Sequence, residues 1–117
     1  MRAMIVPLRA PFIDHLMARF SAIWPEKTSQ LGHRYRPFIE SGVERAVTYR
    51  LLTESSIARF VNLYFVWGDE FEVLPEHAWA LEILRDHRLA ENIKISELVS
   101  RTKLKLTAIH ASQRQHL

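Results

Sequence analysis

The chain has no cysteine and only three glycines and five prolines among its 117 residues. Without cysteine, disulfide bonds and thiolate metal sites are excluded, which fits a reducing compartment. Three glycines are too few for a glycine-rich phosphate loop, and none lies in such a pattern. No apolar run is long enough for a transmembrane helix or a signal-peptide core. These absences favour a domain that acts away from membranes.

The composition is that of an ordinary globular protein, with 48% hydrophobic and 25% charged residues. A chain of this length forms one domain and can bury a substantial core. We therefore expect a single helical domain over residues 1–117. Residues 1–10 are expected to form an irregular arm, and residues 110–117 a frayed tail.

The most apolar stretch lies between Thr53 and Gly68, and it predicts a helix over about residues 53–67. Thr53 is a favourable N-cap, Glu54 suits the positive end of the helix dipole, and Gly68 is a common helix terminator. The apolar residues follow a helical period and cover most of the circumference, which indicates burial on more than one side. The period is carried by Ile57, Phe60, Val61, Tyr64 and Trp67.

Helical periods also predict helices over about residues 11–24, 37–49, 75–86 and 90–108. Residues 25–32 are expected to form a polar linker with at most one helical turn. Gly42 inside the second of these indicates close approach of another helix, expected to be the central one. Trp79 and Ile83 are the expected inward pair of the next helix. One face of the last helix carries Ile95, Leu98, Val99, Thr102, Leu106 and Ile109. The predicted fold class is an all-α, single-domain bundle of about five helices around the central apolar helix.

Charge is unevenly distributed in the second half of the chain. Residues 69–86 contain six acidic residues and one arginine, whereas residues 87–117 contain six lysines and arginines and two glutamates. Such an arrangement indicates two polar surfaces of opposite sign. The candidate partner-binding residues are Asp69, Glu70, Glu72 and Glu76 on the acidic surface, and Arg101, Lys103 and Lys105 on the basic one. Exposed charges contribute little to stability, so these residues are expected to be replaceable without loss of the fold.

No catalytic, cofactor or metal site is predicted. The six histidines show neither H-x-x-x-H nor H-E-x-x-H spacing, and the acidic run at 69–72 lacks the pattern of a calcium loop. There is no G-x-S-x-G nucleophile motif. DNA binding through the 94–105 helix is an alternative, because small basic helical domains read DNA in this way. The acidic residues at 69–86 disfavour it, since they would repel a phosphate backbone nearby.

The segments GVERAVTYRLLTESSIARFVNLYFVWGDEF, HAWALEILRD and KISEL resemble a family of small bacterial proteins encoded beside type VI secretion effector and spike genes. The family pattern carries glycine where this chain has Arg50, and often tyrosine where it has Phe60. The resemblance covers about residues 12–98. The matching positions are Gly42, Val43, Arg45, Ala46 and Tyr49, then Thr53, Glu54, Phe60, Leu63, Phe65, Gly68 and Phe71, then Trp79, Ala80, Ile83, Leu84, Lys94, Ile95 and Leu98.

The resemblance implies an accessory protein in the cytoplasm of the producing cell. Such a protein would bind a toxin, an effector or its adaptor before secretion, in the manner of a chaperone. An immunity protein that blocks a cognate toxin is the alternative within the same setting. The matching motifs contain no catalytic residue to carry over. A homodimer is a further expectation, because the central helix has enough apolar surface to supply a dimer interface.

Overall fold

The computed structural model describes residues 10–115, with side chains through residue 111. Nine of the ten residues of the predicted irregular arm lie outside the described residues. The described chain contains no strand, and it confirms the all-α bundle. Its helices are α1 (Ala10–Ile23), α2 (Pro25–Leu31), α3 (Tyr35–Thr48), α4 (Glu54–Trp67), α5 (Ala78–Leu84) and α6 (Glu91–Gln115), with single 3₁₀ turns at Gly32–Arg34, Phe71–Val73 and Pro75–His77.

The predicted central helix is α4, and its two ends are formed as expected. The Thr53 hydroxyl accepts a hydrogen bond from the Ser56 backbone N–H at 3.2 Å, which satisfies one free donor of the first turn. Gly68 follows the helix with a φ of 107°, a conformation that favours glycine. The helix is enclosed by its neighbours, because its buried apolar residues include Ile57, Phe60, Val61, Leu63, Tyr64 and Phe65.

The contact between α3 and α4 depends on Gly42, as its position in the sequence predicted. A Cβ atom at residue 42 would lie 3.1 Å from Val61 Cγ2 and 3.4 Å from Tyr64 Cδ2. Val61 and Tyr64 are themselves buried, so neither can move aside easily. The glycine therefore costs some helix propensity but permits the two backbones to approach closely.

The first helix covers another side of α4 through aromatic contacts. The Phe65 ring centroid lies 5.0 Å from that of Phe20, and the Trp24 ring stacks on Phe65 at 5.9 Å. The Trp24 indole N–H also donates to the Asn62 side-chain oxygen at 2.8 Å. These contacts give the polar tip of Trp24 a partner while its ring covers the core.

Several element boundaries differ from the sequence prediction. The predicted polar linker contains α2, which starts at Pro25 and buries Thr28, whose hydroxyl donates to the Trp24 carbonyl at 2.9 Å. Only one residue of this helix is buried, so its sequence is polar and has no apolar stripe from which a helix could be predicted.

The later elements also differ from the prediction. Residues 75–77 form a 3₁₀ turn ahead of α5, and α6 extends to Gln115, beyond the predicted end near residue 108. On α5, Ala80, Ile83 and Leu84 are buried, whereas Trp79 is only partly buried.

Glu91, the first residue of α6, joins that helix to the start of α4. Its Oε2 atom accepts hydrogen bonds from the Leu52 N–H at 3.0 Å and from the Thr53 N–H and hydroxyl, both at 2.7 Å. Burial opposes the charged form of Glu91, but the hydrogen bonds from Thr53 and Leu52 outweigh it and lower the pKa of the carboxyl. The carboxylate therefore contributes to stability only while it is ionised.

We expect the stabilisation from Glu91 to be lost in acid. A carboxyl whose pKa is lowered by folding stabilises the protein above its unfolded pKa of about 4.3, and the gain disappears as the pH falls toward the lowered value. Thermal melts followed by circular dichroism should therefore show a smaller stability difference between wild type and Glu91→Gln below that pH than at neutral pH. A difference that stays constant with pH would contradict the assignment.

None of the helices in the described part of the chain is both long enough and apolar enough to cross a membrane.

Candidate functional site

Three of the four predicted acidic site residues are exposed, and the fourth is not. Asp69, Glu70 and Glu76 face solvent near the C-terminal end of α4 and the start of the 75–77 turn. Glu72 is completely buried, so the expectation that it belongs to an exposed acidic surface is wrong. The acidic surface consists of the remaining three residues.

Glu72 is buried because α3 supplies its partners. The Arg45 Nε and Nη2 atoms both lie 3.0 Å from Glu72 Oε2, and the Tyr49 hydroxyl donates to the same oxygen at 2.8 Å. Arg45 Nη2 also donates to the Tyr49 hydroxyl at 3.1 Å. Arg45 and Tyr49 are one helical turn apart, so both reach the same carboxylate. The network ties the 71–73 turn to α3.

The electrostatics of this network favour a fixed ion pair. Burial raises the pKa of Tyr49, and the hydrogen bond to Glu72 raises it further. Burial opposes the charge on Arg45, but the contacts with Tyr49 and Glu72 outweigh it and raise the pKa of the guanidinium. Tyr49 thus remains a neutral donor and Arg45 a cation at physiological pH. The arrangement serves to position the turn.

The three predicted basic site residues all lie on the exposed side of α6. Arg101 is 3.4 Å from Glu97 in an i, i+4 pair, and Lys103 is exposed. The Lys105 ammonium lies 5.1 Å from the centre of the Trp79 ring, a cation–π contact. Among residues 10–111, no ion pair joins these residues to Asp69, Glu70 or Glu76. The acidic and basic residues are therefore not paired with each other.

The last helix has an anchored half and a projecting half. Ile95, Leu98 and Thr102 are buried, and the Thr102 hydroxyl accepts a hydrogen bond from the Trp67 indole at 3.1 Å. From residue 103 to residue 111 every side chain is exposed. We call residues 103–111 the α6 arm. Leu106 and Ile109 continue the predicted stripe, with exposed fractions of 41% and 46%, whereas Leu104, 71% exposed, lies on the opposite face of the helix.

A basic cleft lies where the end of α3, the loop after α5 and the first turns of α6 meet. Its volume is about 280 Å³. It could not be predicted from the sequence, because its residues come from three separate segments. Arg50, which follows α3, adopts a left-handed φ of 67°. The charged or titratable residues that line the cleft are Arg45, Tyr49, Arg50, Arg85, His87 and Lys94.

The chain matches no protein family, no curated protein and no solved structure. Within residues 10–111, no group of three or more histidine, aspartate or glutamate side chains is placed to hold a metal ion.

Proposed function

We propose that this protein is a non-enzymatic accessory protein that binds another protein, namely a type VI secretion effector or toxin, in the cytoplasm of the producing cell. The α6 arm carries this proposal. It presents Leu106 and Ile109, which share one face, to solvent on a helix whose other half is fixed in the core. Exposed apolar residues grouped on one element are typical of a surface that another protein covers.

The charge of the arm defines the kind of partner. Residues 101–111 contain Arg101, Lys103 and Lys105 and no acidic residue. An apolar stripe flanked by cations fits an apolar groove with an acidic rim, a mode in which a helix places its apolar face into a partner. Complementary charge would speed the encounter, and the apolar residues would supply most of the affinity.

Two alternatives from the sequence, a homodimer through α4 and DNA binding through the 94–105 helix, have less exposed surface available than expected. The apolar residues of α4 are used inside the bundle, since Ile57, Phe60 and Val61 are fully buried. Lys94, the first basic residue of the predicted DNA-binding helix, is also buried, with 4% of its surface exposed. A DNA backbone would therefore meet only the cations on the outer part of α6.

Replacing Leu106 by aspartate should weaken the complex with the co-encoded effector by at least about tenfold, because it places a charge in the apolar centre of the contact. Co-expression followed by gel filtration and calorimetry measures this. The fold should be retained, because the Leu106 side chain is already exposed.

Ile93→Asp is the matched control, since Ile93 lies on the same helix, is 43% exposed and is outside the arm. It should retain the complex.

Double charge reversal at Lys103 and Lys105 should slow association and reduce its salt dependence, whereas reversal at Asp69 and Glu70 should not. Separate elution of the wild-type chain and the effector at micromolar concentration would contradict the proposal. Cells that die only when this gene is deleted beside an active toxin would instead support the immunity alternative.

A further inference from the structure

The basic cleft is lined by more cations than are paired with carboxylates. Arg45 is paired with Glu72, but Arg50 and Arg85 are exposed and form no ion pair within residues 10–111. Two carboxylates near these residues in sequence are engaged elsewhere. Asp86 binds Arg88, whose hydrogen bonds lower the pKa of Asp86 to about 2, and Glu91 binds the start of α4.

Lys94 is the residue that most needs an explanation. Its side chain lines the cleft and is 4% exposed, yet no carboxylate lies within 4.0 Å of it in the described chain. Its ammonium donates one hydrogen bond, to the Tyr49 carbonyl at 3.1 Å, and has two further N–H groups. A cation that is buried without an opposite charge is costly to keep, and an anion in the cleft would remove that cost.

Arg50 supplies a second, independent observation. Its φ of 67° is left-handed, which costs a residue with a side chain about 1–2 kcal/mol and which glycine adopts freely. The Arg50 N–H donates to the Val47 carbonyl at 2.9 Å, and the Leu51 N–H donates to the Ala46 carbonyl at 2.9 Å, so the turn itself is well formed. The left-handed residue closes the C-terminal end of α3, and its guanidinium lines the cleft.

We propose that the basic cleft binds a phosphate group, either as inorganic phosphate or on a small phosphate monoester. Guanidinium groups bind phosphate oxygens in pairs, and the lysine ammonium adds a point charge, so Arg50, Arg85 and Lys94 match a tetrahedral dianion. A volume of about 280 Å³ lies just below the range of pockets that enclose drug-sized ligands, so the cleft suits a small anion better than a dinucleotide cofactor. This site is separate from the α6 arm and does not depend on the proposed effector.

Calorimetric titration with sodium phosphate near neutral pH, at constant ionic strength, tests the proposal. We expect saturable binding with a Kd below about 1 mM. Glycerol phosphate in a parallel titration distinguishes the two sources: tighter binding than phosphate assigns the site to a monoester, and equal or weaker binding assigns it to the free anion. Sodium acetate at the same ionic strength should give no saturable heat.

Three variants locate the binding in the cleft. Arg85→Gln and Arg50→Gly should each weaken phosphate binding by at least about tenfold. Arg50→Gly should also fold well, because glycine removes the penalty of the left-handed turn. Lys94→Met should abolish binding, and it should melt at or above the wild-type temperature, since a buried unpaired cation is replaced by an apolar chain.

Arg19→Gln is the control, because it removes an equal charge from an exposed site that does not line the cleft. It should bind phosphate like the wild type. No saturable binding of either phosphate compound below about 10 mM would overturn the proposal. Equal weakening by Arg19→Gln and Arg85→Gln would also overturn it, since it would show attraction by net charge alone.

Discussion

Glu72→Lys is expected to lower the free energy of unfolding by at least about 4 kcal/mol, enough to unfold a domain of ordinary stability at 37 °C. Glu72 is fully buried, and Arg45 and Tyr49 both donate to its Oε2 atom. A lysine there would bury a second cation beside Arg45. Chemical denaturation followed by far-ultraviolet circular dichroism measures the loss.

Glu70→Lys is the matched control, two residues away. Glu70 is exposed and forms no ion pair within residues 10–111, so the change should be within about 0.5 kcal/mol. Glu72→Gln should lie between the two, because the amide keeps the shape and one acceptor but loses the charge. Equal stabilities for Glu70→Lys and Glu72→Lys would show that the 71–73 turn does not pack against α3.

Phe60→Ala is expected to destabilise the protein by about 3–5 kcal/mol. Phe60 is fully buried at the centre of α4, and its ring centroid lies 5.3 Å from Tyr64, 6.0 Å from Tyr49 and 6.1 Å from Phe71. Truncation to alanine leaves a cavity between these three rings. The rings belong to different segments of the chain, which cannot all move inward to fill the cavity. The midpoint of urea denaturation measures the effect.

Truncations at exposed and partly buried residues are the controls for Phe60→Ala. Leu104→Ala removes a large apolar side chain from the α6 arm and should change stability by less than about 0.5 kcal/mol. Trp67→Ala and Trp79→Ala should fall between the two, because both rings are only partly buried. A loss at Phe60 no larger than that at Leu104 would show that α4 is not the core of the bundle.

Local signals in the sequence were sufficient for the centre of the fold. Thr53 and Gly68 marked the ends of α4, and the helical period identified its buried residues, because caps and periods act over a few residues. Gly42 indicated the α3–α4 contact for a similarly local reason. The two turns of α2 were not predicted. Its packing buries Thr28 alone, so its sequence contains no apolar stripe that would indicate a helix.

The candidate site was harder to predict, because burial and charge pairing depend on distant residues. Glu72 looked like its neighbours Glu70 and Asp69, and only Arg45, 27 residues earlier, makes it a buried partner. Lys94 does not belong to the predicted apolar face of α6, yet it is buried beside the Tyr49 carbonyl, 45 residues away. The stripe on α6 was predicted as one face, but a period cannot show where along a helix the surrounding body ends.

The contact between Lys105 and Trp79 has a practical consequence. Lys105 is on the arm, whereas Trp79 is on α5 in the body, and the lysine charge lies over the indole ring. The chain has three tryptophans, so the emission of Trp79 can follow the position of the arm only in a variant that carries phenylalanine in place of Trp24 and Trp67. Such a variant has an intrinsic optical reporter of docking, readable without any attached dye.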